Sequence, residues 1–143
     1  MLQYGRSVGF ISSLGTYFQN KSSLPGASTV DSLCYCGNGI VIAGSSSNGG
    51  VYRSTDYGEK WTSITTFISQ NGVPSLCYLE SGIVLAGTVS YGHIFRSTDY
   101  GQNWTALGQQ FSQTGIRSLC YLGNGIVLAG TSDDGKILRS TDY

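Results

Sequence analysis

The sequence predicts an all-β protein, and two observations support that fold class. Residues 32–35, which read Ser-Leu-Cys-Tyr, return at 75–78 and again at 118–121, so the chain repeats itself every 43 residues. It also contains 21 glycines, and no segment keeps apolar residues at helical spacing over a useful length. Glycine-rich repeats of this kind favour short strands joined by tight turns over helices.

The length of the repeat predicts the architecture. A period of about 40 to 50 residues is typical of β-propeller blades, each of which is a four-stranded antiparallel sheet. The apolar runs and turn residues of the second repeat predict four strands, at 75–79, 82–88, 93–97 and 104–107. We therefore expect three blades' worth of sequence in one chain.

A short motif recurs in the turn between the third and fourth strands. Residues 54–61 and 97–104 both read Ser-x-Asp-x-Gly-x-x-Trp, and a third copy begins at Ser140. The motif resembles the Asp-box, or bacterial neuraminidase repeat, of sialidase-like β-propellers. The resemblance implies a structural staple: the Asp accepts hydrogen bonds from turn amides, the Gly supplies an unusual φ and the Trp packs under the hairpin. The residues predicted for this structural role are Ser54, Asp56, Gly58, Trp61, Ser97, Asp99, Gly101, Trp104, Ser140 and Asp142.

The period also predicts how the chain is divided. It places Gly15 and Phe18 where Gly58 and Trp61 stand in the first full repeat. The predicted segments are an N-terminal extension at 1–14, a closing fourth strand with its exit loop at 15–31, repeats at 32–74 and 75–117, and a partial repeat at 118–143.

The predicted blades suggest self-assembly. Closed propellers have about four to eight blades, and unpaired strand edges invite pairing with another chain. We therefore expect a six-bladed homodimer in which the closing strand of each copy completes the last blade of the other. A compatible interpretation is that the sequence is an excised or engineered fragment of a longer propeller.

Composition excludes several classes of function. The formal net charge is zero and 11% of the residues are charged, so the electrostatic footprint of a nucleic-acid-binding protein is missing. No apolar stretch reaches the roughly 18 residues of a membrane span, and residues 1–13 do not read as a signal peptide. The sequence predicts a soluble protein and leaves its compartment open.

The four cysteines are predicted to be small apolar core residues. Cys34, Cys77 and Cys120 occupy the same place in three repeats, which is normally too far apart for a disulfide. Cys36 falls where the other repeats have leucine. Without a CxxC pair, zinc is not favoured, and we expect no cofactor.

Variation between the repeats is predicted to lie at one end of the blades. It is concentrated in the second-to-third strand loops and in the loops that enter each first strand, which emerge together in an up-and-down blade. Either a ligand binds this face or the loops have drifted neutrally. The candidate ligand residues are Phe67, Gln70, Tyr91, His93, Gln110, Phe111, Asp133 and Asp134. Of these, His93 is expected to face solvent, and the acidic pair is expected to form a β-turn in preference to a Ca²⁺ site.

The sequence does not point to catalysis. The Arg-Ile-Pro type of motif that usually accompanies a resemblance to sialidases is absent. Few carboxylates lie outside the boxes, whereas glycosidase chemistry needs two at a defined separation. We therefore expect that the protein is not an enzyme. A non-catalytic, self-assembling module with a ligand face is favoured; a glycan-binding, lectin-like propeller is the alternative, and a protein-binding scaffold stays open. A sialidase-like glycoside hydrolase is the least favoured.

Overall fold

The computed structural model describes residues 22–67, 71–110, 112 and 114–143. Within these ranges it confirms the all-β fold class, with antiparallel strands grouped in three sheets. The strands are β1 Ser32–Gly37, β2 Ile40–Gly44, β3 Gly50–Ser54, β4 Thr62–Thr66, β5 Gly72–Tyr78, β6 Val84–Val89, β7 His93–Ser97, β8 Thr105–Gln109, β9 Ile116–Gly123, β10 Ile126–Thr131 and β11 Ile137–Ser140.

Each sheet is an up-and-down blade. Blade 1 has the order β1-β2-β3-β4 and blade 2 the order β5-β6-β7-β8, whereas blade 3 contains β9-β10-β11. The predicted strand at 93–97 coincides with β7, but β5 begins at Gly72, earlier than expected. The pairing of β5 with β6 shifts register between Gly72 and Ser75, and the pairing of β9 with β10 shifts at the equivalent place.

The segment before blade 1 packs as an exit loop. Residues 22–31 form no strand, and Leu24 is buried against Ala43 and Tyr52. The rest of the predicted closing strand and the predicted N-terminal extension lie outside the described residues.

Neighbouring blades pack face to face. We call the side of a blade that meets the following blade its front face and the opposite side its back face. Apolar side chains from the front of one blade and the back of the next form one cluster per interface. The front-face residues include Cys36, Ile42 and Val51 in blade 1 and Leu79, Leu85 and Ile94 in blade 2; the back-face residues include Leu76, Val84 and Phe95 in blade 2 and Leu119, Tyr121 and Val127 in blade 3.

The cysteines follow this division of faces. All four are free thiols; Cys36 and Cys77 are buried, as predicted, and Cys34 is half-buried. The prediction is wrong for Cys120, which is exposed. Its position lies on the front face of blade 3, and no described blade covers that face.

Candidate functional site: the Asp-box turns and the variable-loop face

The Asp box of blade 2 is a closed network of hydrogen bonds. Ser97 Oγ donates to Asp99 Oδ1 at 2.8 Å and accepts from the Gly101 amide at 2.9 Å. Asp99 Oδ1 also accepts from the Asn103 amide at 2.8 Å, and Trp104 Nε1 donates to the Gly101 carbonyl at 3.0 Å. Gly101 has a φ of 80°, a conformation that glycine adopts without strain.

The Asp box of blade 1 has the same arrangement. Ser54 Oγ donates to Asp56 Oδ1 at 2.8 Å, and the Lys60 amide donates to the same oxygen at 2.9 Å. Trp61 Nε1 again donates to the glycine carbonyl, that of Gly58, at 3.0 Å. The repeated geometry supports the structural role that the motif predicts for these residues.

The network holds the box carboxylates in their charged form. Burial alone would raise the pKa of Asp99, but hydrogen bonds from Asn103 and Ser97 outweigh it and lower the pKa. In blade 1, the Lys60 amide and the Ser54 hydroxyl lower the pKa of Asp56. In blade 3, Ser140 Oγ donates to Asp142 Oδ1 at a longer 3.2 Å.

Side chains next to the boxes connect neighbouring blades. Arg53 Nε donates to the Tyr100 carbonyl in the next box at 2.9 Å, which supports a structural role for this arginine. Arg96 holds the equivalent position in blade 2, and its buried Nε has no hydrogen-bond partner among the residues that the structure describes.

Each box tyrosine also meets the tyrosine of the first strand in its own blade. The ring centroids of Tyr78 and Tyr100 lie 6.3 Å apart, and those of Tyr121 and Tyr143 lie 5.7 Å apart. The equivalent pair in blade 1 is Tyr35 and Tyr57. The tyrosine pairs were not predicted, although both tyrosines recur at the 43-residue period.

The variable loops meet at one end of the blades. The Asn71 amide group donates to Ser90 Oγ at 2.6 Å, and the Tyr91 amide donates to the Thr114 carbonyl at 3.0 Å. The Thr114 amide donates in turn to Asp133 Oδ2 at 3.0 Å. The first and third contacts link the entry loop of a blade to its own second-to-third strand loop, and the Tyr91 contact links blade 2 to the entry loop of blade 3. We call the surface formed by these loops the variable-loop face.

Three of the predicted ligand residues come together in blade 2. Tyr91 is 57% exposed, and its ring centroid lies 6.2 Å from that of His93, which lies 6.2 Å from that of Phe95. Phe95 stacks on Phe67 with the centroids 3.8 Å apart. The result is a continuous row of four rings that runs from the variable-loop face into the core.

Two expectations about this row need correction. Phe67 is buried and packs between Phe95 and Trp104, so it is a core residue and offers no surface to a ligand in this structure. His93 was expected to face solvent, yet it is half-buried between the rings of Tyr91 and Phe95. Both differences arise from packing between strands and blades that local sequence does not reveal.

The acidic pair is engaged in loop contacts. Asp133 accepts hydrogen bonds from the amide and the hydroxyl of Thr114, which lower its pKa. Asp134 pairs with Lys136 at 2.5 Å, and this contact lowers the pKa of Asp134. In the described part of the chain, no cluster of three or more His, Cys, Asp or Glu side chains could hold a metal ion.

Of the remaining predicted ligand residues, the structure describes only Gln110. Gln110 is half-buried and lines a cavity between blades 2 and 3. Gln70 and Phe111 lie outside the described residues.

Comparisons with known proteins agree with the geometry. Residues 94–107 match the family model of the BNR-Asp box repeat. The fold is similar to that of YCF48 in a structure described as YCF48 bound to D1 peptide, with a TM-score of 0.72 and 18% sequence identity. The match covers 87% of this chain and 41% of the YCF48 chain, so this chain spans less than half the length of that protein. No curated protein matches the sequence.

These comparisons confirm the predicted resemblance to Asp-box β-propellers. Across the described residues, no helix has the length and hydropathy needed to cross a bilayer.

Proposed function

Starting from a chain that carries the BNR-Asp box repeat on a β-propeller fold, we propose a non-catalytic module that assembles with a second copy of itself through its two terminal blade faces. The single observation that carries this proposal is a contrast in exposure. Side chains that are buried or half-buried where two blades meet are exposed at the equivalent positions of the first and last blades.

The contrast is clear on the front face of blade 3. Leu79 in blade 2 is 6% exposed, whereas Leu122 at the same place in blade 3 is 56% exposed. Val51 in blade 1 is fully buried, whereas Ile137 is 74% exposed. A contiguous apolar surface of this kind is typical of an interaction site.

The back face of blade 1 has the complementary surface. Leu33 is 63% exposed there, whereas Leu76 and Leu119 pack against the preceding blade. Because Leu122 and Leu33 would meet if blade 3 of one copy packed on blade 1 of the other, burial of both faces would remove apolar area from water. Two copies joined twice around a two-fold axis would form six blades, which is within the range of closed propellers.

Absolute mass in solution tests the proposal. We expect about twice the chain mass of 15.2 kDa by light scattering after size exclusion. Ile137→Lys should yield the monomer because it places a charge in the proposed interface, whereas Tyr91→Lys, on the variable-loop face, should leave the dimer intact. A monomeric parent protein would overturn self-assembly.

Ligand binding on the variable-loop face is the second candidate function. Tyr91 favours it because its ring is largely exposed and its φ of 129° is an unusual conformation for a side chain of this size, and strained residues cluster at binding sites. The two ligand classes to compare are glycans, which the sequence suggests as an alternative, and peptides, because YCF48 is described as bound to one.

A binding assay separates these ligands. Immobilised glycans and immobilised peptides would be compared with the parent protein, Tyr91→Ala and the control Tyr57→Ala, which removes an exposed tyrosine from the box side. Binding that Tyr91→Ala alone abolishes supports the ligand face and identifies the ligand class. Binding that survives Tyr91→Ala would move the site elsewhere.

The non-enzymatic role is supported by the way the carboxylates are used. Asp56 and Asp99 hold the box turns, and Asp133 and Asp134 hold loop contacts. Glu80 accepts a hydrogen bond from the Tyr143 hydroxyl at 3.0 Å. A glycoside hydrolase requires two carboxylates that flank a bound sugar. We therefore expect no hydrolysis of aryl sialosides or aryl glycosides.

A further inference from the structure

Two of the four cysteines lie side by side in blade 1. Cys34 and Cys36 are two residues apart on β1, and both pack in the cluster between blades 1 and 2. Cys36 is 2% exposed, whereas Cys34 is half-buried and is the more accessible of the two. The other two repeats have a single cysteine here, because leucine stands at positions 79 and 122 in place of Cys36. The pair is therefore specific to blade 1.

An irregularity in the pairing of β1 with β2 brings the two thiols together. The register shifts between Tyr35 and Gly37, so Cys36 is the extra residue of a bulge. A bulge bends its strand and redirects the side chains that it carries. Cys36 Sγ lies 3.8 Å from the Cys34 carbonyl oxygen, and its thiol also forms a hydrogen bond with the Cys34 side chain.

The surroundings of the pair favour a thiolate at Cys34 and hold a cation close by. The hydrogen bond from Cys36 lowers the pKa of Cys34; burial opposes it, and a backbone hydrogen bond from Tyr78 adds to it. The hydrogen bond with Cys34, burial and the charge of Cys34 raise the pKa of Cys36, whereas the charge of Arg53 acts to lower it. Arg53 is held in place because its Nε donates to the Tyr100 carbonyl of blade 2 at 2.9 Å. Two neighbouring sulfurs and a fixed positive charge therefore lie together in this interface.

Two thiolates suit a soft cation of low coordination number. Structural zinc sites take four ligands, and the described residues offer no group of three or more His, Cys, Asp or Glu side chains that could hold a metal ion. Soft thiolate ligands select Cu(I), which two thiolates can hold in a linear arrangement. Two metal–sulfur bonds of about 2.3 Å each span a separation close to that of hydrogen-bonded thiols. A disulfide would instead require the sulfurs to approach to about 2.05 Å.

We propose that Cys34 and Cys36 bind one Cu(I) ion between blades 1 and 2. Each thiol loses its proton and its sulfur donates an electron pair to the ion, so two protons are released and the copper keeps its oxidation state. The complex carries one net negative charge, which the Arg53 guanidinium balances, as a buried charge requires. The site lies wholly within the described strands of these two blades and does not depend on the proposed self-assembly.

Competition with a chelator tests the site on the full chain. Cu(I), generated anaerobically with ascorbate and held by the coloured chelator bicinchoninate, would be titrated with the folded protein, and loss of colour reports transfer of the ion. We expect the parent to take up one Cu(I) per chain. Cys36→Leu removes one ligand and introduces the residue of the other two repeats, so it should fold normally and bind at least about tenfold more weakly.

Two further variants separate the pair from single thiols. Cys34→Ser should weaken binding as much as Cys36→Leu does, whereas Cys120→Ser, which removes the exposed thiol of blade 3, should leave the affinity unchanged. Urea midpoints of all the variants would establish that each is folded under the conditions of the titration. X-ray absorption of the loaded parent should show two sulfur neighbours around the copper.

Three results would overturn the inference. A parent that leaves all of the copper with the chelator would show that the pair consists of core residues only. Binding that survives Cys36→Leu but is lost with Cys120→Ser would make the exposed thiol the ligand. A spectrum with three or more sulfur neighbours would exclude a site built from two thiolates.

Discussion

Ser97 shows how one hydroxyl stabilises a box turn. Its buried Oγ donates to Asp99 and accepts from the Gly101 amide. Ser97→Ala leaves that amide without its partner, and an unsatisfied buried donor costs about 1–3 kcal/mol. We expect the free energy of unfolding, measured by urea titration, to fall by about that amount.

Ser140 provides the matched control for this prediction. It occupies the same position in the third box but is exposed, and its bond to Asp142 is longer, at 3.2 Å. Ser140→Ala should change stability by less than about 0.5 kcal/mol, as surface substitutions usually do. Equal losses in the two variants would show that the Ser97 network contributes nothing specific.

Asp99 makes stability depend on pH. Its hydrogen bonds lower its pKa in the folded protein below the ordinary 3.8, so the unfolded chain takes up a proton at higher pH than the folded one. The stabilisation is present above pH 3.8 and is lost as pH falls through the folded pKa. Urea midpoints between pH 5 and pH 2.5 should therefore fall less steeply for Asp99→Asn than for the parent. Identical pH profiles would contradict this role.

At the scale of the element, neighbouring blades lie in close contact at two glycines. A Cβ on Gly87 would lie 2.5 Å from Ile116 Cγ2, and one on Gly44 would lie 2.5 Å from the Val73 carbonyl oxygen. Serine hydroxyls connect the same strands, since Ser75 Oγ donates to the Ile116 carbonyl at 3.0 Å. The strand ends therefore fit together only without a side chain at these positions.

Gly87→Ala tests this close contact. Overpacking of a closely fitted region costs about 1–3 kcal/mol, and we expect a loss in that range by urea unfolding of the monomeric Ile137→Lys background. The control is Gly130→Ala in blade 3, where a Cβ would meet only Ser118, whose Oγ can rotate away. In the same monomeric background, Gly130→Ala should leave the free energy of unfolding nearly unchanged. A neutral Gly87→Ala would show that the blades can separate at little cost.

The strands and boxes were predictable because they are local and recur. The strand at His93–Ser97 follows from the local sequence pattern, and the role of the Ser, Asp, Gly and Trp of the boxes follows from the resemblance to the Asp-box. The contacts of Phe67 and His93 were not predictable, because they depend on which ring of another strand or blade lies opposite. The exposure of Cys120 was missed for a related reason, since burial of a blade residue depends on the next blade.

At the scale of the molecule, the glycine contacts extend to the proposed dimer. Gly130 is the blade 3 equivalent of Gly44 and Gly87, and Val30 is the equivalent of Val73 and Ile116. Val30 is 53% exposed. If blade 3 of one copy packs on blade 1 of the other as the inner blades do, Gly130 meets Val30 of the second copy, and Ser118 Oγ donates to its carbonyl.

Gly130→Ala should therefore affect assembly without affecting the chain that carries it. The added methyl group would collide with Val30 of the second copy at both interfaces of the dimer, and 1.4 kcal/mol corresponds to a tenfold change in affinity. The expected cost is about 1–3 kcal/mol per interface. Sedimentation equilibrium should therefore show a dimer whose affinity is at least about tenfold weaker than that of the parent. If Gly130→Ala forms as tight a dimer as the parent while Ile137→Lys is monomeric, the terminal faces associate with a geometry different from that between the inner blades.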